Sequence, residues 1–142
     1  MTEEQIVLVK NSWRTFPNID PGIIGDLFYS KLFIENPKLK RLFSFSMQQQ
    51  HRKIIDMLSF IISRLDNVEV VTEDIKAMAL RHEGYGVKRE HYKLVGEALL
   101  WTMQHGIGNE WNDKLKEAWI ACYNMIAKTM ISATKQNAKS NF

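Results

Sequence analysis

Residues 79–87 read Ala79-Leu80-Arg81-His82-Glu83-Gly84-Tyr85-Gly86-Val87, an apolar helical face that ends on a histidine and is stopped by glycines. Ile75 and Met78 precede His82 by seven and four residues, a spacing that sets all three on one side of a helix. The histidine therefore points inward. Chemistry alone admits two readings, a hydrogen-bonded core residue, which is the commoner outcome, or a metal ligand. What separates them is the rest of the chain.

Working upstream, Thr72 is the predicted N-cap of this short helix, with Glu73 and Asp74 behind it to suit the helix dipole. A longer helix from about Met47 to Leu65 turns Ile54, Leu58, Ile61, Ile62 and Leu65 inward and closes at Asp66-Asn67. Before that, Pro37 opens a short helical turn bearing Leu39 and Leu42, and Phe43 follows it into Ser44-Phe45-Ser46. Asp20-Pro21 supplies an N-cap and a proline at the first helical position, opening a helix that aligns Ile24, Leu27, Phe28 and Leu32 and stops at Asn36-Pro37. The first helix starts from a capping-box pair, Thr2 and Gln5, and repeats Ile6, Val9, Trp13 and Phe16 up to Pro17.

Downstream of the glycines, a helix from about Lys88 to His105 faces Val95, Leu99 and Met103 to the core and ends at Gly106-Ile107-Gly108-Asn109. The last helix opens near Asn112 and lines up Leu115, Trp119, Cys122, Ile126 and Met130. No bounded run alternates β-branched with polar residues, and no Asn-Gly or Asp-Gly hairpin signal occurs, so the class is all-α. Periodicity leaves open whether these helices form an aligned bundle or a stack of crossing helices, since both obey the same packing rules.

The 142 residues suit one domain, residues 1–142, able to bury about 70% of its unfolded surface and to enclose a sizeable ligand. From Ala133 the sequence turns polar, and residues 133–142 are expected to form a partly frayed tail. Hydrophobic residues at 45% and charged residues at 25% describe an ordinary folded chain rather than a disordered one. The net charge of +3 is spread along the sequence, which argues against nucleic acid as a partner because a dedicated binder concentrates its basic residues. Cys122 stands alone and makes no internal disulfide, Met1 leads into Thr2-Glu3-Glu4-Gln5 with no basic, apolar leader, and the expected location is cytoplasmic. No apolar run approaches the roughly 18 residues of a membrane span.

The order of signals from Tyr29 through Asn36-Pro37, Leu42-Phe43 and Gln50 to His82-Glu83-Gly84-Tyr85-Gly86-Val87 resembles the globin family. Arg52-Lys53, Gly86-Val87-Lys88 and Val95-Gly96-Glu97-Ala98-Leu99-Leu100 are similar to neuroglobin and to single-domain bacterial globins related to flavohaemoglobin. The resemblance spans about residues 3–132 and is carried by the ordered combination of motifs rather than by any one of them. It implies a globin fold of about seven helices (A, B, C, E, F, G and H) arranged three over three around haem b. It also implies that His82 is the proximal iron ligand, its other ring N–H donated to a carbonyl one turn earlier, near Met78. Met78, Val87 and Tyr92 then join Phe43, the phenylalanine that packs against the porphyrin, as cofactor-binding residues, and Lys53 reaches a propionate.

On the distal side the resemblance places Tyr29, Gln50 and Ile54. A diatomic ligand on the iron takes up partial negative charge, so a phenolic O–H and an amide N–H aimed at it stabilise it. The implied behaviour is tight, slowly released oxygen. Where neuroglobin has a histidine able to bind the iron this chain has Gln50, a poor ligand, so the sixth position is expected to be open or water-filled unless His51 or Lys53 swings in. His91, His105 and, otherwise, His51 are read as surface residues. Tyr92 matches the flavohaemoglobin tyrosine that polarises the proximal histidine, but its glutamate partner falls at about Gln136, a neutral amide.

The leading expectation is thus a globin that reversibly binds oxygen, with NO and CO as further ligands. An enzymatic alternative is NO dioxygenase or related NO and nitrite chemistry, which needs a separate reductase because this length leaves no room for one. A third is a globin-fold sensor or interaction module. A monomer or weak dimer is expected. Trp13 and Trp119 are read as packing residues between helices, and Cys122 as an inert core thiol.

Overall fold

The computed structural model describes residues 1–14, 20–43, 47–84 and 88–140; within its helices the side chains of residues 21, 47, 48, 50, 51, 68, 83, 84 and 136–140 are not described. Among the described residues there are six α-helices, a six-residue 3₁₀ helix at Pro37–Leu42, a short one at Gly108–Glu110, and no strand. The α-helices are α1 (Glu3–Trp13), α2 (Pro21–Glu35), α3 (Met47–Ser63), α4 (Val68–Gly84), α5 (His91–Ile107) and α6 (Asp113–Ser140).

Their ends follow from local chemistry. Thr2 and Gln5 form the reciprocal capping box at α1, the backbone N–H of each donating to the side-chain oxygen of the other. Asp20 accepts from Gly22 N–H at 2.8 Å with Pro21 at the first helical position, and Asn36 ends α2 one residue before Pro37. Gly108, at φ +70°, closes α5 with its N–H on the Gln104 carbonyl, a backbone conformation glycine adopts without strain. The start of α4 departs from the expectation at Thr72. It lies at Val68, where Asn67 accepts from the N–H of Val70 at 3.4 Å and its carbonyl accepts from Val71 at 3.1 Å. Asn67 does double duty, following the turn that ends α3 and capping α4, and that is why the sequence reads it only as a stop.

Helices α1, α3 and α4 form one layer and α2, α5 and α6 the other, with α4 against α6, α2 against α3 and α1 against α6 across the interface. This is the expected three-over-three stack, with the 3₁₀ helix at Pro37–Leu42 as its seventh helical element. The inward stripes make one continuous core in which Val9, Leu32, Ile75, Met103 and Trp119 are no more than 1% exposed. Trp13 and Trp119 pack between helices as expected, ring centroids 6.0 Å apart. Trp13 Nε1 donates to Ser59 and Trp119 Nε1 to Ser12, so α1 is tied to both α3 and α6. Cys122 is buried, and burial pushes its thiol up to about 12. Among the described residues no helix is long and apolar enough to cross a membrane.

Candidate functional site

Where the two layers diverge they enclose a cavity of about 390 Å³, walled by α2 to α6 and the 3₁₀ helix. His82 reaches it from the last turn of α4. Its Nδ1 lies 2.8 Å from the carbonyl oxygen of Met78, one turn back. A carbonyl only accepts, so Nδ1 carries the hydrogen and Nε2 the lone pair. Burial lowers the imidazole's pKa; the Met78 carbonyl opposes this and the Arg81 charge adds to it. A neutral ring with one lone pair is the form a metal requires.

Tyr29 enters from α2 at 5% exposure. Its ring is held edge-on by Phe28 at 4.9 Å and Phe43 at 5.3 Å, and stacked on Phe33 at 5.7 Å. Burial raises the phenol's pKa, so it stays protonated and able to donate. Phe43, just past the 3₁₀ helix, is half-buried in the wall. Ile54 and Lys53 come from α3, Met78 from α4 and Tyr92 from the first turn of α5. One cavity thus gathers His82, Tyr29, Phe43, Lys53, Ile54, Met78 and Tyr92. The side chains of Gln50 and His51, all of Val87 and the side chain of Gln136 lie outside the described residues.

His91 corrects an expectation. It is half-buried and also lines the cavity, its Nδ1 accepting the Lys88 N–H at 2.9 Å on the solvent-exposed side. His105 is exposed, its ring tilted against Trp101 with centroids 4.0 Å apart. Sequence reasoning passed over Arg81, Met57 and Tyr123, which also line the cavity. For Arg81 the signal was adjacency to His82, and for Tyr123 it was the place beside Trp119 and Ile126 on the inward side of α6.

The donor set is informative about what fits. Among the described residues no three His, Cys, Asp or Glu side chains gather as a protein-built cation cage needs. The His82 imidazole suits a metal whose remaining ligands arrive with a flat organic group, and the apolar walls from Phe43, Ile54 and Met78 suit that group's faces. Lys53, Arg81 and His91 are the basic residues that could meet its acidic substituents, and none of the described lining residues is acidic.

The comparisons with known proteins agree. The family profile that matches the chain is Globin, over residues 26–130. A flavohemoprotein of Vibrio cholerae serotype O1 is 27% identical over an alignment of 134 residues that covers 92% of this chain and 34% of that protein. The chain thus spans about a third of the length of such relatives. Neuroglobin of Danio rerio is 24% identical over 159 residues, covering 99% of this chain and 98% of its own. In three dimensions a bacterial globin from Campylobacter jejuni is similar with a TM-score of 0.81 at 24% identity, over 97% of this chain and 99% of that one. With the fold, the cavity and the family profile in agreement, the chain belongs to the globin family.

Proposed function

We propose that this globin holds haem b through His82 and reversibly binds oxygen, and other diatomic ligands such as NO and CO, beneath Tyr29. The observation that carries the reading is the His82 imidazole in the wall of an apolar cavity, its Nδ1 committed to the Met78 carbonyl so that Nε2 would be the coordinating nitrogen. Haem b fits better than a covalently attached haem, because the only cysteine, Cys122, lies in the core and no Cys-x-x-Cys-His motif occurs.

When bound, the haem iron supplies the coordination position at which a diatomic ligand is held. The chain does the rest. Phe43, Ile54 and Leu58, which line the cavity, would keep water out, Lys53 and Arg81 would hold the propionates, and the protonated Tyr29 O–H would supply a hydrogen-bond donor to a bound ligand. The test is reconstitution with haem. A Soret band should form in the wild type, be lost in His82→Gly and return on addition of free imidazole. A wild type that takes up no haem, or a His82→Gly protein with an unaltered band, would overturn the reading.

A second reading, NO dioxygenation, is favoured by Tyr92 lining the same cavity as His82, as the resemblance to flavohaemoglobin implies. It requires electrons from a reductase. Sustained NO consumption in air, dependent on added reductase, supports it; a single stoichiometric turnover under the same conditions counts against it.

A further inference from the structure

The cavity wall is rich in thioether sulfur. Of the seven methionines in the chain, Met57, Met78 and Met130 line the cavity among the described residues, whereas Met103 and Met125 pack elsewhere and Met1 is exposed at the N-terminus. A thioether fills an apolar wall as leucine does, but its sulfur is polarisable, nucleophilic and open to oxidation. Outer solvent reaches little of two of these side chains, Met78 at 6% exposure and Met130 at 5%. The free space beside them is the cavity itself.

Met78 differs from the other two in its relation to His82. It lies one turn earlier on the same face of α4, and its backbone carbonyl is the acceptor for His82 Nδ1. Its side chain belongs to the apolar cluster that includes Ile75 and Ala79. An oxygen added to that sulfur would place a strong dipole in the wall. Among the described residues no buried side-chain nitrogen or oxygen lacks a hydrogen-bond partner, so no idle buried donor waits to receive it.

We propose that Met78 is an oxidation site that sets how firmly the cavity holds haem: a hydroperoxide entering the cavity converts its thioether to the sulfoxide, and the new dipole loosens the group. This rests on the haem reading above. The step balances with the oxidant alone. A sulfur lone pair attacks one peroxide oxygen, and the S–O bond forms as the O–O bond breaks. With hydrogen peroxide the other oxygen leaves as water, so sulfur gives up two electrons and the peroxide accepts them. The sulfoxide is the reversible rung of thioether oxidation, which makes the loosened state one that a sulfoxide reductase can undo.

The test exposes the full-length, haem-loaded protein to hydrogen peroxide and maps each methionine by peptide mass spectrometry. The haem is then exchanged for fresh haem, and its loss to an excess of a tight-binding apoglobin is followed. Met1 oxidises first, and Met78 gains oxygen well before Met103, which is 0% exposed and off the cavity. The reloaded protein loses haem roughly tenfold faster than untreated protein, the low end of what an unpaired buried polar group costs. Met78→Leu, which keeps the volume and drops the sulfur, retains its haem after the same treatment, and Met130→Leu loses it as the wild type does. Met78→Gln puts an uncharged polar head in the wall and reproduces the fast loss with no oxidant. In the wild type itself the fraction of rapidly lost haem tracks the fraction of Met78 sulfoxide, a measurement that needs no variant to fold. Met103 modified ahead of Met78, or equal acceleration in treated Met78→Leu, overturns the proposal. A wild type with no Soret band sinks the haem reading and this proposal together, whereas a normal band with haem loss indifferent to Met78 sulfoxide sinks this proposal alone.

Discussion

Tyr29→Phe removes one oxygen atom from the cavity wall and leaves the ring. Because Tyr29 is 5% exposed and gripped by Phe28, Phe33 and Phe43, phenylalanine keeps the same place and opens no void. Burial holds the phenol in its protonated form, so the wild-type hydroxyl is a donor throughout the neutral range. A hydrogen bond to a charged acceptor contributes about 1.5–3 kcal/mol, and a partly charged diatomic ligand belongs at the lower end, about 1.5–2 kcal/mol. At about 1.4 kcal/mol per factor of ten this becomes roughly ten- to thirtyfold in affinity. Among variants of one site such differences fall mainly on dissociation. Stopped-flow replacement of oxygen by CO should therefore show oxygen leaving Tyr29→Phe roughly ten- to thirtyfold faster than the wild type. CO takes up less negative charge, so its own release should change far less. An oxygen release rate within about twofold of wild type would refute the reasoning, because the hydroxyl would then not be spent on the ligand.

Burial lowers the His82 pKa below the 6.5 of a free imidazole. As pH falls through that value the unfolded chain binds a proton the native apoprotein resists, so native stability is intact above about 6.5 and declines below it. Urea midpoints of the apoprotein should drop on acidification by more in the wild type than in His82→Phe, and equal drops would assign the dependence elsewhere. Cys122, buried and with its thiol raised to about 12, should resist a disulfide reagent at about pH 8 in the native protein and react once denatured; prompt native labelling would contradict its core position. Trp119→Phe gives up ring area at 1% exposure and the bond to Ser12, and should cost about 2–3 kcal/mol in chemical denaturation.

The parts of the fold legible in the sequence are those set by neighbours in the chain. Thr2 with Gln5, Asp20 with Pro21, Asn36 before Pro37 and Gly108 each fix a helix end through bonds spanning no more than four residues, so residue type and spacing suffice. The inward stripe of α6, from Leu115 to Met130, is read the same way. Features made between helices were not legible. His91 sits among Lys88, Arg89 and Glu90, and such charged company reads as surface; only its place at the start of α5, beside the cavity, makes it a half-buried lining residue. Tyr123 bonds a carbonyl on another helix, and nothing within its own segment announces that partner.

The cavity has a subtler signature in the relation between periodicity and burial. Ile54, Val95 and Phe43 hold apolar positions directed inward, yet they are only half-buried. Apolar side chains that point to the core and remain partly accessible face internal space, and all three border the cavity of about 390 Å³. Such surface is costly in water, at about 25 cal/mol per Å². A group that covers it stabilises the native state by mass action, because the unfolded chain cannot enclose that group. The same deficit of packing that weakens the apoprotein thus becomes binding energy for a flat apolar cofactor. On the function proposed above, His82, lining that cavity with its tautomer set by Met78, would add direction to an affinity that the walls alone leave unoriented.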